Sequence, residues 1–210
     1  SYKDSIRPGH AEYGFFKKYG QYADWVGAGR ASGRETASRV AGGAVAKAVL
    51  DQMGIDVIAY TIASHGIKIK EPVTYEFAKE NYRKNEINCP DLALAEEMKK
   101  DILKVKADGE TAGGVIECIA RGVPAGLGEP VFDKMNALLA HAVCSIGAIK
   151  GIEFGAGFGV ADMLGAESND EAYVDKATGK VRFKTNHAGG ILGGITTWED
   201  IRFRCAVKPT

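Results

Sequence analysis

The 210 residues carry 27 basic and 27 acidic side chains, so the formal net charge is zero. That balance excludes a nucleic-acid binder working through a broad basic surface, and 45% apolar with 26% charged residues exclude a disordered or collagen-like chain. Glycine is the exception: 27 residues stand well above the usual share of ~7%, with only six prolines beside them, so they are not linker filler.

Cys89, Cys118, Cys144 and Cys205 form no C-x-x-C pair and have no histidine at ligand spacing. The expectation is buried free thiols in a reducing cytosol, with neither a zinc site nor a disulfide framework. No apolar run reaches the ~18 residues of a membrane span, and no charged-then-apolar leader opens the chain. It begins at Ser1 with a dense motif from Arg7 onward, and reads as a piece of a longer protein.

Residues 1–31, rich in Gly, Tyr and basic side chains and interrupted by Pro8, lack a helical period and read as an ordered loop. A helix is predicted over 33–52, where Val40, Ala44, Ala48, Val45 and Val49 keep an apolar stripe at three-to-four spacing, ended by Gly54. Ile55–Ala63 is β-branched and Tyr-containing and predicts a buried strand. Ile67 and Ile69 alternate with lysines, as in a short half-exposed strand.

Residues 71–110 are charged and glycine-poor; Leu92, Ala95, Met98, Ile102 and Val105 give a helical period with a solvated lysine face. A second buried strand is predicted at 113–120. The loop RGVPAGLGEP then leads to a helix striped by Val131, Met135, Leu138, Leu139, Ala142 and Ile146, ended by Gly147 and followed by a strand at 149–154. Helix, glycine stop and strand thus occur twice, as a pseudo-repeated α/β unit. Residues 180–184 and 201–207 alternate strictly between apolar and basic, which favours antiparallel sheet with a helical layer on one face. No domain boundary is evident, so residues 1–210 read as one α/β domain.

GIEFGAGFGVA at 151–161 resembles a dinucleotide fingerprint only superficially. Turn residues follow where a helix should open, and Val160 and Ala161 occupy the place of the third glycine. Arg30-Ala-Ser-Gly-Arg-Glu-Thr36 is the stronger signal. Ser32 with Glu35 matches a capping box at a helix start. Gly27, Gly29 and Gly33 permit close backbone approach, and Arg30 and Arg34 flank it, as suits a phosphate or carboxylate. In Arg7-Pro-Gly-His-Ala-Glu12, His10 is a candidate general acid, although a surface-turn histidine is the commoner outcome of such a hexapeptide. His65 falls in a turn, His141 in an apolar helix as a packed residue, and His187 in a glycine-rich segment. No Ser/His/Asp order, paired carboxylates or metal-ligand cluster is evident.

Six segments together resemble chorismate synthase: RPGHAEY (7–13), GAGRASGRETASRVAGGAVAK (27–47), GGVIECIARGVPAGLGEPVFDKMNALLAHA (113–142), IKGIEFGAGFG (149–159), NHAGGILGGI (186–195) and AVKPT (206–210). They run in family order and leave only 66–110 and 166–185 unmatched.

The resemblance implies a β-α-β sandwich, with antiparallel sheets packed around a helical layer, in a cytoplasmic homotetramer with no membrane or nucleic-acid partner. It implies the 1,4-elimination of phosphate from 5-enolpyruvylshikimate 3-phosphate to give chorismate, with reduced FMN as cofactor. NADPH enters only in members that reduce their own flavin. Carried over by position, His10 resembles the histidine that protonates the reduced flavin, and Arg7 and Arg34 the arginines that hold substrate anions. Arg30, Ala31, Ser32 and Gly33, Gly147 and Ala148, Gly193, and Lys208, Pro209 and Thr210 resemble flavin-contacting stretches. His187 belongs to a family hallmark without an assigned role.

Glu12, Ala31 and Gly147 depart from the commoner family residues, so any contact at Gly147 is expected through backbone. The family's N-terminal Gly-Glu-Ser-His-Gly motif and later Arg-His-Asp-Pro segment do not occur in this sequence. The 210 residues therefore read as a central portion expected not to turn over alone; the alternative is a catalytically inactive flavin- or anion-binding remnant.

Overall fold

The two runs read as buried strands pair with each other in the computed structural model, which describes residues 5–26 and 29–209. They are β1 (Asp56–Ser64) and β3 (Gly114–Arg121), antiparallel with Ile58 opposite Ile119 and Tyr60 opposite Glu117. β9 (Ile201–Val207) pairs antiparallel with β3, and β4 (Ile149–Phe154) with β9. The short β2 (Ile67–Lys68) completes a five-stranded sheet of order β2-β1-β3-β9-β4. Two further hairpins stand apart, β5 (Ala172–Val174) with β6 (Val181–Phe183) and β7 (Ile191–Leu192) with β8 (Ile195–Thr196).

The strict alternation of residues 201–207 divides the sheet faces. Ile201 and Phe203 pack with Ile55, Val123 and Ile191 under two helices, α2 (Glu35–Gln52), reaching in through Leu50, and α5 (Met135–Cys144), through Met135, Leu139 and Val143. Those three α5 positions are spaced four apart and share one helix face. Phe154 faces Phe203 across the ladder with ring centroids 5.7 Å apart. On the opposite sheet face Ile58, Tyr60 and Ile119 meet Tyr75 and Ala78 of α3 (Tyr75–Asn81). α4 (Leu92–Ala107) closes a third cluster, Cys89, Ala95 and Met98, against Ile67 and Ile69.

The repeated helix–glycine–strand unit is real in three dimensions. α2 leads into β1 and α5 into β4, and these strands flank the central β3–β9 pair on opposite sides. The Tyr60–Glu117–Arg204–Glu153 row crosses that centre. The chain is therefore mixed α/β with antiparallel sheet, as the alternation predicts, with α2 and α5 layered on one face and the short α3 on the other.

Several expectations are corrected. Residues 12–19, read as part of a loop, form α1 (Glu12–Tyr19), followed by single 3-10 turns at Gly20–Tyr22 and Gly29–Ala31. α1 buries no residue; Glu12 in its first turn and Lys17 and Lys18 in its last complement the dipole, and Phe15 and Tyr19 stack at 5.7 Å. Such local pairs leave no apolar stripe to detect. α3 also went unpredicted, because seven residues, capped by Thr74 accepting from Phe77 N, are too few to define a period.

The helix expected from Val131 starts at Met135 instead. Glu129 and Asp133 exchange backbone hydrogen bonds across 129–133, and Val131 is exposed. His141, expected to be packed, is exposed because it lies off the Met135–Leu139–Val143 face. Val40, Val45 and Val49 of α2 are exposed too, Val45 to 70%, although Val40 lies on the other side of the helix from Val49. Ala, Gly and Val surround this helix on every side, so the stripe read from spacing did not distinguish which side meets the sheet. Residues 165–168, read as turn, make the single turn α6 (Gly165–Ser168).

Candidate functional site

The segment around His10 is organised by one ion pair. Arg7 donates from its backbone N and from Nε to the Glu12 carboxylate at 2.9 and 2.6 Å. The Arg7 hydrogen bonds hold the Glu12 carboxyl below its ordinary value of 4.5. The Pro8-Gly9 turn closes with His10 N donating to Arg7 O at 3.2 Å. His10 Nδ1 lies 3.7 Å from Glu12 Oε1, too far for a hydrogen bond, and is a buried nitrogen with no hydrogen-bond partner among the described residues. Glu12, Phe15, Phe16, Asp24 and Trp25 line a small neighbouring cavity of about 100 Å³.

Asp24 links this segment to the start of α2. It accepts from Val26 N at 2.9 Å and packs directly beneath Gly29, where a Cβ would lie 3.2 Å from its own Cβ. The capping box expected at Ser32 and Glu35 does not form. α2 starts at Glu35, with Arg34 in the N-cap position and no side-chain cap. Ser32 Oγ instead accepts from Arg34 N at 3.3 Å and Arg34 Nε at 3.0 Å, because Glu35 N is taken by the Ser32 carbonyl in a tight turn. Ser32 thus folds Arg34 back over the Arg30–Gly33 turn.

A second link spans 106 positions: Arg39 Nη1 donates to Ser145 Oγ at 2.9 Å, and its Nη2 to Ser145 O at 3.0 Å. The start of α2 therefore meets the end of α5, where Gly147 and Ala148 follow. Lys208 N donates to Ala148 O at 2.9 Å, which brings the Lys208-Pro209 stretch to the same corner. Gly193 is placed elsewhere, in the β7–β8 turn beside the opposite end of α5, where Met135 N donates to Gly194 O at 2.8 Å. A ten-residue helix separates it from Gly147 by about 15 Å. Gly27 and Thr210 lie outside the described residues. A Cβ added at Gly33, Gly147 or Gly193 would meet open space.

Sequence reasoning missed a polar cleft of about 740 Å³ on the other face of the sheet. Glu117, Arg202, Arg204, His187, Glu199 and Asp200 line it. Buried Glu117 accepts from Tyr60 Oη and from Arg202 Nη1, the latter at 2.9 Å. Burial and the neighbouring Glu117 carboxylate push the Tyr60 phenol well above its ordinary value. Arg204 Nε meets Glu153 at 3.0 Å. The alternation in 201–207 announces a basic strand face. Only the pairing of β3, β9 and β4 reveals that the Glu117 and Glu153 carboxylates neutralise it.

A sequence profile described as chorismate synthase matches residues 1–210. The chain belongs to the chorismate synthase family. A chorismate synthase of Acetivibrio thermocellus is 70% identical over 210 residues, covering 100% of this chain and 53% of that protein. One of Methanocella arvoryzae is 49% identical over 208 residues, covering 99% of this chain and 55% of the relative. A solved structure of a chorismate synthase superposes with a TM-score of 0.88 at 34% identity, over 95% of this chain and 63% of that one. The chain spans about half the length of the curated chorismate synthases it matches. Among the described residues, no helix is long and apolar enough to cross a membrane.

Proposed function

We propose that this chain carries the flavin- and substrate-binding core of a chorismate synthase, which eliminates phosphate and a ring hydrogen from 5-enolpyruvylshikimate 3-phosphate to give chorismate. The observation that carries the reading is the corner where Gly147–Ala148 meets Lys208–Pro209 through the Lys208–Ala148 bond, with α2, just beyond the Arg30–Arg34 turn, tied to it by the Arg39–Ser145 bonds.

The residues fit reduced FMN. Burying an imidazole nitrogen without a partner is unfavourable, and a ligand atom would satisfy His10 Nδ1. Gly33, Gly147 and Gly193 leave their Cβ space open for a flat ring system or its phosphate arm. When bound, reduced FMN supplies the electron density that the elimination needs in its transition state.

The chain's own residues bind and orient. Arg7 and Arg34 bind the substrate's phosphate and carboxylates through charge-assisted hydrogen bonds, with Glu12 orienting Arg7 and Ser32 holding Arg34. His10 holds a proton at its imidazole for transfer toward the flavin. Arg30, Ala31, Ser32 and Gly33, Gly147 and Ala148, Gly193, and Lys208, Pro209 and Thr210 would be the residues that contact the flavin. The assembly is a cytoplasmic homotetramer, and NADPH serves only if the protein reduces its own flavin.

The test is an anaerobic assay of the longest natural chain carrying this sequence, with chemically reduced FMN and the enolpyruvyl substrate. Chorismate and phosphate are expected in equal amounts. Tight FMN binding with no phosphate release would overturn the enzymatic reading.

A further inference from the structure

Asp170 lies on the segment between α6 and β5, and its side chain is only 5% exposed. Thr185 and three groups of the glycine-rich hallmark segment that follows surround it. Its Oδ1 accepts from Thr185 Oγ1 at 2.6 Å and from His187 N at 2.8 Å, while Oδ2 accepts from Ala188 N at 2.9 Å. The His187 ring stands beside it, with Nδ1 at 3.5 Å. Burial raises the carboxyl's pKa, but the hydrogen bonds from Thr185, Ala188 and His187 outweigh it and keep Asp170 below its ordinary 3.8. A buried carboxylate is tolerated only where donors converge on it in this way.

The turn that Asp170 holds is built into the sheet. Asn186 Nδ2 donates to Asp200 O at 2.8 Å, and its Oδ1 accepts from Gly190 N at 2.6 Å. Ala156 N donates to His187 O, and Arg202 N to Gly189 O, at 2.8 and 3.2 Å. The approach to β4 is so close that a Cβ at Gly155 would lie 2.0 Å from His187 O. From Gly190 the chain passes directly into β7 and the Gly193–Gly194 turn, which the Met135 amide ties to α5.

We infer that Asp170 is a positioning residue: its carboxylate fixes the 185–190 turn and thereby sets where the Gly193 corner stands toward the cofactor. This rests on the reading of Gly193 as a flavin contact. Asp170 touches neither Gly193 nor the reacting atoms, and acts through the turn alone.

The test compares wild type with Asp170→Asn and the milder Thr185→Val, in the longest natural chain carrying this sequence. FMN is titrated by fluorescence quenching, the visible spectrum of bound flavin is recorded at saturation, and amide exchange is followed by mass spectrometry. In Asp170→Asn, exchange over 186–190 is expected to accelerate while β1 keeps its protection. FMN affinity is expected to fall about tenfold, as suits loss of charge-assisted hydrogen bonds, with a shifted spectrum at saturation. Thr185→Val should move each readout in the same direction and by less. FMN affinity and saturated spectrum unchanged in both variants would overturn the positioning role, even if both melt at lower temperature. Failure of wild type to bind FMN would overturn the reading of the flavin site itself, which is visible before any variant is compared.

Discussion

Arg39 and Ser145 lie 106 positions apart and share two hydrogen bonds, Nη1 to the hydroxyl at 2.9 Å and Nη2 to the carbonyl at 3.0 Å. The bidentate contact ties the first half of α2 to the end of α5, directly before Gly147. Arg39 also meets Glu35 one turn earlier, at 3.3 Å, so the guanidinium is held on both sides. Arg39→Ala is expected to lower stability by about 1 kcal/mol, the scale for a part-exposed charged hydrogen bond. Its sharper effect is local: amide exchange across 146–149 should accelerate while β3 keeps its protection. Unchanged exchange there would show that the corner is fixed by Lys208 and Ala148 alone.

Arg34 separates binding from folding. Its Nε is held by Ser32 Oγ, and its side chain does not serve as the N-cap of α2. Arg34→Ala should raise the KM for the enolpyruvyl substrate by at least about tenfold, the effect of losing one charge-assisted anion contact, while the melting temperature changes little. A sharp fall in melting temperature with KM unchanged would assign Arg34 to structure. His10→Ala should instead lower kcat by about a hundredfold, the scale of general acid catalysis, with smaller change in KM.

The Tyr60–Glu117–Arg202 group is a buried polar knot whose parts depend on each other. Glu117→Gln leaves Arg202 facing a neutral amide and should destabilise by about 3 kcal/mol. Tyr60→Phe removes one donor and should cost about 1 kcal/mol. Urea unfolding of the double variant is expected to give less than the sum, because both changes break the same bond. Strict additivity would mean that the phenol and carboxylate do not interact.

Thiol reactivity should divide the four cysteines. Burial, with the nearby Cys205, pushes the Cys118 thiol up to about 12, and burial also raises Cys89 and Cys205. Cys144 is exposed at the end of α5. Only thiolate reacts, so a disulfide reagent at pH 8 should label Cys144 rapidly and the other three only on unfolding. Rapid labelling of Cys118 in the native protein would contradict the packing of β3 under the helices.

Acid stability should follow the carboxylates held below their ordinary values, Asp56 and Asp170 among them. At Asp56, burial raises the carboxyl's pKa, but hydrogen bonds from Lys79 and Tyr75 outweigh it and hold it below 3.8; Asp170 is depressed likewise. A carboxyl whose folded value lies below its unfolded value binds fewer protons when folded. Its stabilisation is therefore complete above the unfolded value near 3.8 and is lost as pH falls through the folded one. Stability should decline below about pH 4, and Asp56→Asn should flatten that decline. An equally steep acid limb in the variant would place the lost protons elsewhere.

The sequence by itself determined the strands of the five-stranded sheet, the two helix–glycine–strand units and the family. Each rests on local information: β-branched runs at 55–63 and 113–120, strict alternation in 201–207, and long motifs whose residue order is the signal. It also announced Arg30, Arg34 and His10 as chemistry-bearing residues, because arginines, glycines and a Pro-Gly-His turn are visible in one dimension. The structure decided what depends on distant partners. Ser32 became an acceptor for Arg34 in place of a helix cap because the Glu35 amide was already used. Val40, Val45 and Val49 are exposed because small apolar residues scattered around α2 do not encode which side meets the sheet. The polar row through Tyr60, Glu117 and Arg204 arises from strand order and register, which pairwise hydrogen bonding between distant segments sets. Asp170, ordinary in its own segment, became a buried anchor only when residues 185–188 folded back onto its carboxylate.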